Sequence, residues 1–523
     1  MGVFWTGMKY VFTDFSCWTS THGIPHIGMA NAKWLRAFWV LVVLVNVGLF
    51  IWQFISLLDN YLSFSVNTET TLEFAERVFP TVTICHLNAW KLTESTTADK
   101  DLSDLVTAYN SYSTNSPFGL PSTLNEDRQQ TAAKWTLMYS EKLKNLYYDN
   151  GEDIAYSYDD LVVSCTYNAK TCNQTDFVDY YNPTYGNCIQ FNYAGEQSSS
   201  RAGPLYGLRM VIRTDQNTYL PWTEASGVII DIHNDDETPY PDMLGYFAPP
   251  STASSLGVSY VSTTRLSSPY GTCTTQKTLK TTHFTGNYST ESCFRSCMQD
   301  KIVSTCGCYY PAYSHASNTS QYVSCDDGTI TSLQCVDTII SADSTVFDVL
   351  TECNCPQPCE QDSYSITVST AQWPSNTYTP TECTPGSTAT SQPWLTLSET
   401  CLEWYQQNTL LIEIYYERMN YQVLTESAAY TFVNFISDVG GQVGLFLGMS
   451  IISVIEFLVL IFLLCFYCAT HKSRKEDFEK IEKDINHAKS EVDRVANRRK
   501  QNEIYDPSDI SDEIIPPKPV DNT

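Results

Sequence analysis

The sequence predicts an α+β membrane protein in which two transmembrane helices flank a large disulfide-rich domain of mixed strands and helices. Only two runs of the 523 residues are apolar enough to cross a bilayer, at 37–58 and 440–468. Sixteen of the nineteen cysteines lie between these runs, from Cys85 to Cys401. Disulfides persist in oxidising compartments, so up to eight bridges are expected there. Short apolar strand-like runs alternate with helical pieces through the same region.

The first apolar run has 22 residues and no charge, and about 20 apolar residues suffice to span the hydrocarbon core. The second run has 29 residues, and a straight helix of that length would be roughly 43 Å long. This exceeds a core of ~30 Å, so the helix must tilt or break. Gly448-Met449-Ser450 is the natural place for a break, because irregular backbone at membrane depth is tolerated beside protein or a cavity.

Basic residues flank the N-terminal end of the first span and the C-terminal end of the second. They are Lys33 and Arg36 at the first span, and Lys472, Arg474 and Lys475 at the second. This asymmetry places both termini in the cytoplasm of a multi-pass plasma-membrane protein. The first span is expected to act as an uncleaved anchor. The predicted organisation is a cytoplasmic N-terminus at 1–33, a first span at 34–58, an extracellular domain at 59–438, a second span at 439–468 and a cytoplasmic tail at 469–523.

Acidic residues dominate the predicted extracellular domain. Residues 59–438 hold 43 of the 58 Asp and Glu but only 17 of the 31 Lys and Arg, a net charge of −26 in a chain of net −27. Such a surface concentrates cations and is an implausible partner for nucleic acid. Catalytic signatures such as HExxH, GxSxG and a phosphate-binding glycine loop do not occur, so no enzyme, cofactor or metal site is predicted. Zinc at the cysteine clusters 306–308 and 353–359 is disfavoured in an oxidising compartment.

Glu456 is a carboxylate inside the second apolar run. A charge at bilayer depth is costly and usually faces a bundle interior or a water-filled path, so it marks an ion route. The alternative is a buried carboxyl paired with a neighbouring helix. Because two helices cannot enclose an aqueous pore, a pore requires several chains around one axis. A two-pass adhesion protein or receptor without a pore is the alternative from another functional class.

Local patterns predict further elements. Alternating apolar residues predict strands at 81–85, 227–232 and 409–416. A helical piece is expected over 132–148, and the charged segment 472–500 is expected to form an exposed helix ahead of a disordered end.

Several ordered motifs resemble the degenerin/epithelial sodium channel family, in particular its acid-sensing and FMRFamide peptide-gated branches, and the likeness to the peptide-gated branch is greatest. The likeness runs to about residue 468. Its motifs are HG at 22–23, FPTVTICHLN at 79–88, YGNCIQFN at 185–192, IHNDDETPYPDMLGYFAPP at 232–250, SPYGTC at 268–273, the cysteine-rich 288–311 and 353–359, and SDVGGQVGLFLGMSIISVIEF at 437–457.

The resemblance implies a trimer with a hand-like ectodomain of palm, finger, thumb, knuckle and β-ball; a homotrimer is expected and a mixed trimer is the alternative. Carried over by position, the implied disulfides are Cys85–Cys188, Cys165–Cys172, Cys273–Cys359, Cys293–Cys355, Cys297–Cys353, Cys306–Cys335 and Cys308–Cys325. Cys383 and Cys401 remain and complete the set. Extracellular sequons for N-glycosylation occur at Asn173, Asn287 and Asn318.

The same resemblance assigns roles to residues near the membrane. Gly448, Met449 and Ser450 take the position of the selectivity filter, where small residues let helices approach and free carbonyls replace water around a cation. Glu456 matches the acidic pore residue, and Val459 stands where acid-sensing members carry a second acid. His22 and Gly23 are implied to line the inner mouth through a re-entrant segment. The implied gating residues are Tyr61 and Tyr270 at the wrist, Met419 and Asn420 in the palm linker, and Ser437, Asp438, Gly440 and Gly441 at the gate.

The expected function is a sodium-selective, amiloride-sensitive channel opened by an extracellular neuropeptide of the FMRFamide type. An acidic surface on a chain with 34 tyrosines suits a basic, aromatic, amidated peptide. Its binding residues are unknown, and the finger region 100–150 is the first place to look. Protons are the alternative stimulus, and a constitutive or mechanically opened channel is a further one. ATP gating is disfavoured because no basic cluster for phosphates is evident.

Overall fold

The computed structural model describes residues 2–112, 117–277, 282–315, 323–326, 328–341, 344–384 and 400–502. The chain divides into two compact units. One combines Met1–Ser63 with Tyr430–Thr523 and is called the membrane unit here; the other, Phe64–Ala429, is called the central unit. The two units are described separately.

Helices are the regular secondary structure of the membrane unit within its described residues. Two of its helices are long and apolar enough to cross a membrane, Lys33–Leu62 and Ile451–Thr470, with mean hydropathies of 2.3 and 2.7. The first contains the predicted span at 34–58. Helices satisfy every backbone group internally, which is why apolar spans adopt this form. The helices of the unit are Gly2–Trp18, Ile24–Met29, Lys33–Leu62, Phe432–Leu447 and Ile451–Asn502.

The central unit holds seventeen named strands within its described residues. In chain order these are β1 (Val66–Phe74), β2 (Arg77–Val78), β3 (Thr81–His86), β4 (Val162–Tyr167), β5 (Lys170–Thr171), β6 (Phe177–Asn182), β7 (Gly186–Phe191), β8 (Ser198–Ser199), β9 (Leu208–Arg213), β10 (Val228–His233), β11 (Tyr246–Ala248), β12 (Thr252–Thr264), β13 (Cys308–Tyr309), β14 (Val323–Ser324), β15 (Glu360–Gln372), β16 (Thr409–Tyr416) and β17 (Asn420–Ala428).

Two large sheets hold thirteen of these strands, and the pairs β2-β8 and β13-β14 form two small sheets. The larger has the order β1-β17-β12-β16-β9-β4-β5, and β15 also pairs with β12. The smaller has the order β11-β10-β3-β7-β6. Apolar residues of both sheets share one buried cluster, in which Ile84, Ile230 and Ile412 are fully enclosed. Burial of such side chains contributes roughly 1.5–3 kcal/mol each, so this shared core is what holds the sheets together.

Strands β1 and β17 form the ends of the central unit. They pair antiparallel along their whole length, from Val66 opposite Ala428 to Phe74 opposite Asn420. Residues 63–64 follow the first span and Tyr430 precedes the next helix. The two chain connections to the membrane unit therefore leave from one strand pair.

Helices of the central unit cluster in two parts of the chain. The predicted helix over 132–148 is wrong in its continuity: the structure has Glu126–Met138 and Ser140–Tyr148, separated at Tyr139. Tyr139 is buried and its ring stacks 5.8 Å from that of Trp135, so tertiary packing fixes the break. The other helices are Leu92–Ala98, Lys100–Ser111, Tyr158–Leu161, Pro241–Leu244, Thr290–Cys306, Ile330–Ile340, Val349–Glu352 and Cys401–Asn408.

Eight disulfides cross-link the central unit, and they are the same eight pairs that were expected. Four of them join Thr290–Cys306 to other segments, through Cys293, Cys297 and Cys306, or follow that helix directly at Cys308. Bridges of this kind typically contribute about 2–4 kcal/mol each. They stiffen a region whose core is otherwise divided among short helices.

Candidate pore and gate

The second apolar run is interrupted where the sequence predicts a break. Helix Phe432–Leu447 ends before Gly448, and a new helix begins at Ile451. Gly448 adopts a left-handed conformation with φ of 60°, and its N–H bonds back to the Gly444 carbonyl at 3.0 Å. Residues with a Cβ pay about 1–2 kcal/mol for this conformation, so glycine suits the position. The break leaves residues 448–450 between the two helices, with the Gly448 N–H still bonded to the first helix and the Ser450 carbonyl bonded at 3.2 Å to Val454 N–H of the second.

The N-terminal segment folds back against this break. Helix Gly2–Trp18 is followed by a turn that contains His22 and Gly23, and Gly23 is left-handed at φ of 85°. The His22 N–H donates to the Leu447 carbonyl at 3.1 Å, which is an otherwise unpaired carbonyl at the end of its helix. A Cβ added at Gly448 would collide with the His22 ring. The two predicted motifs, His22-Gly23 and Gly448-Met449-Ser450, therefore lie in direct contact.

The carboxylate of Glu456 is held by the same N-terminal segment. Its Oε2 accepts hydrogen bonds from Thr19 Oγ1 at 2.9 Å, Ser20 N at 2.8 Å and Ser20 Oγ at 3.1 Å. All three donors are neutral, and within the described residues Glu456 forms no ion pair. Neutral donors fix the position of a carboxylate without cancelling its charge. Glu456 is therefore a carboxylate held in position by neutral donors inside an apolar run, where a charge is costly.

A chain of hydrogen bonds joins Glu456 to the helix break. Ser450 N–H donates to Ser453 Oγ at 3.1 Å, and Ser453 Oγ lies 2.6 Å from Ser20 Oγ, which reaches the Glu456 carboxylate. Ser453 is fully buried. A hydroxyl can accept one hydrogen bond while it donates another. Every donor in this chain can therefore point from Ser450 toward Glu456. Ser450 and Glu456 are thus joined through the hydroxyls of Ser453 and Ser20.

Sequence reasoning placed Glu456 and His22 in the site but missed Thr19, Ser20 and Ser453. Ser453 precedes Glu456 by three residues, one helical turn, which is a signal that could have suggested a shared face. Thr19 and Ser20 lie three and two residues before His22. Their pairing with a residue more than 430 positions away has no signature in a single sequence.

The predicted gate residues line one stretch of Phe432–Leu447. Ser437, Asp438, Gly440 and Gly441 are exposed in the isolated chain, and Asp438 accepts a hydrogen bond from Tyr430 OH at 2.6 Å. A Cβ at Gly440 or Gly441 would meet no atom within 4 Å. Within the described part of the chain, no close contact explains these two glycines. Close approach of another helix would explain them, because small residues let helix backbones come together.

The remaining predicted gating residues lie in the two units separately. In the membrane unit, the Tyr61 ring stacks on Phe435 with centroids 5.3 Å apart. In the central unit, Tyr270 makes an edge contact with Phe64 at 5.5 Å. Met419 is buried in the shared core of the sheets, whereas Asn420 is exposed and begins β17 opposite Phe74.

Two of the three sequon asparagines fall among the described residues. Asn173 is exposed, and its side chain accepts a hydrogen bond from Thr175. Asn287 is half-buried and its amide contacts the carboxylate of Asp236. Asn318 lies outside the described residues.

The central unit contains an acidic cavity of about 440 Å³. Five carboxylates line it: Asp235, Asp236, Glu237, Glu360 and Asp362. Burial raises the pKa of Glu237 to about 7, and the neighbouring Asp236 and Asp362 act in the same direction. On the adjacent strand β10, burial also raises the pKa of Asp231 to about 6, although its Oδ2 accepts the Tyr240 N–H at 2.8 Å. These two carboxyls titrate close to physiological pH.

Comparisons with known proteins agree with this geometry. A family model described as amiloride-sensitive sodium channel matches residues 15–460. The degenerin-like protein asic-2 of Caenorhabditis elegans is 30% identical over 540 residues, covering 97% of each chain. Degenerin del-1 of the same organism is 40% identical over 322 residues, which is 61% of this chain and 46% of del-1. Degenerin unc-8 is 36% identical over 317 residues, 60% of this chain and 40% of unc-8. The chain thus spans nearly all of asic-2 but less than half of del-1 and unc-8.

Proposed function

The chain belongs to the amiloride-sensitive sodium channel family, a family of ion channels and not of enzymes, and we propose that three copies form a sodium-selective, amiloride-blocked pore opened by an FMRFamide-type peptide. The pore is placed in the plasma membrane with both termini in the cytoplasm. The observation that carries the proposal is Glu456, an oriented carboxylate in an apolar run that has no cationic partner among the residues that the structure describes.

Permeation follows from the break and the carboxylate. In a trimer, the breaks at 448–450 meet around the axis, where backbone carbonyls can replace part of the water around a small cation. Three Glu456 carboxylates below them hold a negative potential that attracts cations and repels anions. Thr19 and Ser20 keep each carboxylate in place through hydrogen bonds, so the cation does not have to reorganise the site.

The peptide stimulus is supported by charge. Residues 59–438 carry a net charge of −26, which attracts a basic peptide over long range and raises its association rate. The finger region 100–150 remains the proposed place of binding, and the helices Lys100–Ser111, Glu126–Met138 and Ser140–Tyr148 form it.

Expression of the chain alone in oocytes tests the proposal. FMRFamide is applied at neutral pH in sodium solution, followed by an acid step without peptide and by amiloride. A peptide-evoked current that amiloride blocks would establish a homomeric peptide-gated sodium channel. Absence of any current, with surface protein confirmed, would contradict the homomeric proposal.

Protons are a second candidate stimulus because Glu237 and Asp231 titrate near physiological pH. Acidification would protonate these buried carboxyls and remove repulsion among the carboxylates around the cavity. A current evoked by acid alone would favour this candidate. Loss of that current in Glu237→Gln, with peptide responses retained, would assign it to the cavity.

Glu237 also predicts a pH-dependent stability. Its pKa of about 7 in the folded chain lies above the ordinary value of 4.5, so ionisation opposes folding. This cost is absent below about pH 4.5, grows up to pH 7 and is constant above it. Glu237→Gln is therefore expected to be more stable than the wild type at pH 8, by about 1–3 kcal/mol, and equally stable at pH 4. Thermal melts of the detergent-solubilised protein at both values measure the difference; Asp235→Asn, at an exposed neighbour, is the matched control.

Ser437 provides a test of the gate. Ser437→Cys modified by a bulky, charged thiol reagent is expected to carry a sustained sodium current, because the added group prevents the helices from closing. The measurement is amiloride-sensitive current before and after the reagent. The background carries serine at the three free cysteines, Cys17, Cys465 and Cys468. A modified channel that remains closed would contradict the assignment of Ser437 to the gate.

A further inference from the structure

The helix that begins at Ile451 does not end with the membrane span. It continues without interruption to Asn502, so about 32 residues, or ~48 Å, extend past Thr470. A helix in a protein owes most of its stability to the packing of an apolar face, so an extension of this length is expected to have tertiary or quaternary contacts. The described part of the chain supplies none to residues 480–495, whose described side chains are all exposed.

The sequence of this extension has a heptad repeat. Apolar residues recur with alternating spacings of three and four, at Phe478, Ile481, Ile485, Ala488, Val492 and Val495. Every other position from 476 to 500 is polar or charged except Ala496. Alternation of three and four places these side chains on one stripe of a helix, which is the a and d pattern of a coiled coil.

The stripe is solvent-exposed in the single chain. The exposed fractions are 54% for Ile481, 53% for Ile485, 66% for Val492 and 58% for Val495. Four large β-branched side chains in one line are costly to leave in water. Because this helix continues a membrane span directly, it projects away from the bilayer and cannot lay the stripe on lipid.

We propose that residues 478–495 of three copies of this chain form a parallel coiled coil that holds the second spans together. This inference rests on the proposed trimeric channel. Copies that share an axis bring their extensions side by side in the same direction and register. Ile485 and Val492 at a, with Ile481 and Val495 at d, favour three or four strands, since dimers prefer leucine at d.

Charges beside the stripe fit a parallel register in one heptad and oppose it in the preceding one. Asp484 at g faces Lys489 at e of the neighbouring helix, an attractive pair. Asp477 at g faces Glu482 at e, a repulsive pair. The repulsive pair lies nearer the membrane than the attractive one. In a parallel register, Glu482→Lys would turn the repulsion from Asp477 into an attraction, so this substitution is predicted to strengthen assembly.

Cross-linking of the full chain in membranes tests the coiled coil. On a background with serine at Cys17, Cys465 and Cys468, cysteine is placed at a by Ile485→Cys or at the outward f position by Lys483→Cys. A short three-armed maleimide is expected to give trimers from Ile485→Cys about tenfold faster than from Lys483→Cys, because core positions share a high effective concentration. Equal rates, or dimers as the largest product, would overturn the proposal.

A second variant pair tests the register without cysteine. Glu482→Lys is expected to raise the temperature at which the detergent-solubilised trimer dissociates. Glu479→Lys at the outward b position has the same charge change but should not raise it, because there lysine only adds repulsion to Lys475 and Lys483 at i,i+4 spacing within one helix. An equal rise in both would overturn the parallel register. If Ile485→Cys gives trimeric cross-links but the chain carries no current, the coiled coil is supported and the channel is contradicted. If the peptide evokes currents but Ile485→Cys gives no trimeric cross-links, the channel is supported and the coiled coil is contradicted.

Discussion

Replacement of Glu456 by glutamine is expected to lower the unitary sodium conductance by about half or more, because each subunit loses a full negative charge at membrane depth. Glutamine keeps the size of the side chain and one acceptor oxygen, so Thr19 and Ser20 still have a partner. The change is therefore mainly electrostatic. Single-channel recording measures the conductance, and reversal potentials in sodium and potassium solutions measure the accompanying loss of selectivity.

Two controls isolate the role of this charge. Glu69→Gln makes the same substitution on the exposed strand β1 and should leave conductance unchanged. Thr19→Val removes one of three donors and keeps the charge, so it should produce a smaller change in the same direction. Unaltered conductance in Glu456→Gln would remove the main support for the pore. The adhesion or receptor alternative would then become the better account of the two spans.

The break in the second apolar run was predictable from physical size alone. A run of 29 residues is too long for one straight crossing, and Gly448-Met449-Ser450 interrupts it away from its ends. Strand β16, Thr409–Tyr416, was likewise predicted with its observed bounds, because an aliphatic and aromatic run leaves few other choices. Local composition decides such elements before any tertiary contact forms.

The environment of Glu456 and the titration of Glu237 were not predictable in this way. Both depend on packing between segments that are distant in sequence. Asp235, Asp236 and Glu237 form an acidic run typical of a solvated loop, yet Glu237 is largely buried and its pKa is raised to about 7. The break of the expected helix at Tyr139 has the same origin, since the ring is enclosed by the surrounding core. Hydrophobic periodicity carries no information on which polar residue the fold encloses.

Gly448→Ala is expected to reduce peptide-evoked current by about tenfold or more, equivalent to 1.4 kcal/mol or more against the conducting state. Two effects combine. Alanine pays about 1–2 kcal/mol for the left-handed conformation at φ of 60°. Its Cβ also collides with the His22 ring, which would displace the turn that delivers Thr19 and Ser20 to Glu456. Surface biotinylation must show a normal amount of the variant at the cell surface, so that the lower current reflects channel opening and not poor delivery.

Gly444→Ala is the matched control. Gly444 lies in the preceding helix, and its added Cβ would meet nothing closer than the Met449 carbonyl at 3.9 Å. Near-normal current is expected, since alanine favours a helix more than glycine does. Equal losses at Gly444 and Gly448 would mean that any added methyl on this helix closes the pore, and the contact with His22 would then explain nothing.

The double variant His22→Ala/Gly448→Ala separates the two causes. His22→Ala alone is expected to lower open probability, because the ring no longer supports the break. If the steric collision dominates, removal of the ring should restore part of the current lost in Gly448→Ala, and the two substitutions will be non-additive. Restoration is only partial because the His22 Cβ that alanine keeps lies 2.7 Å from the added methyl. If the backbone conformation dominates, the losses will add. Non-additivity would be direct functional support for the contact between the N-terminal turn and the helix break, since residues that do not touch rarely show such coupling.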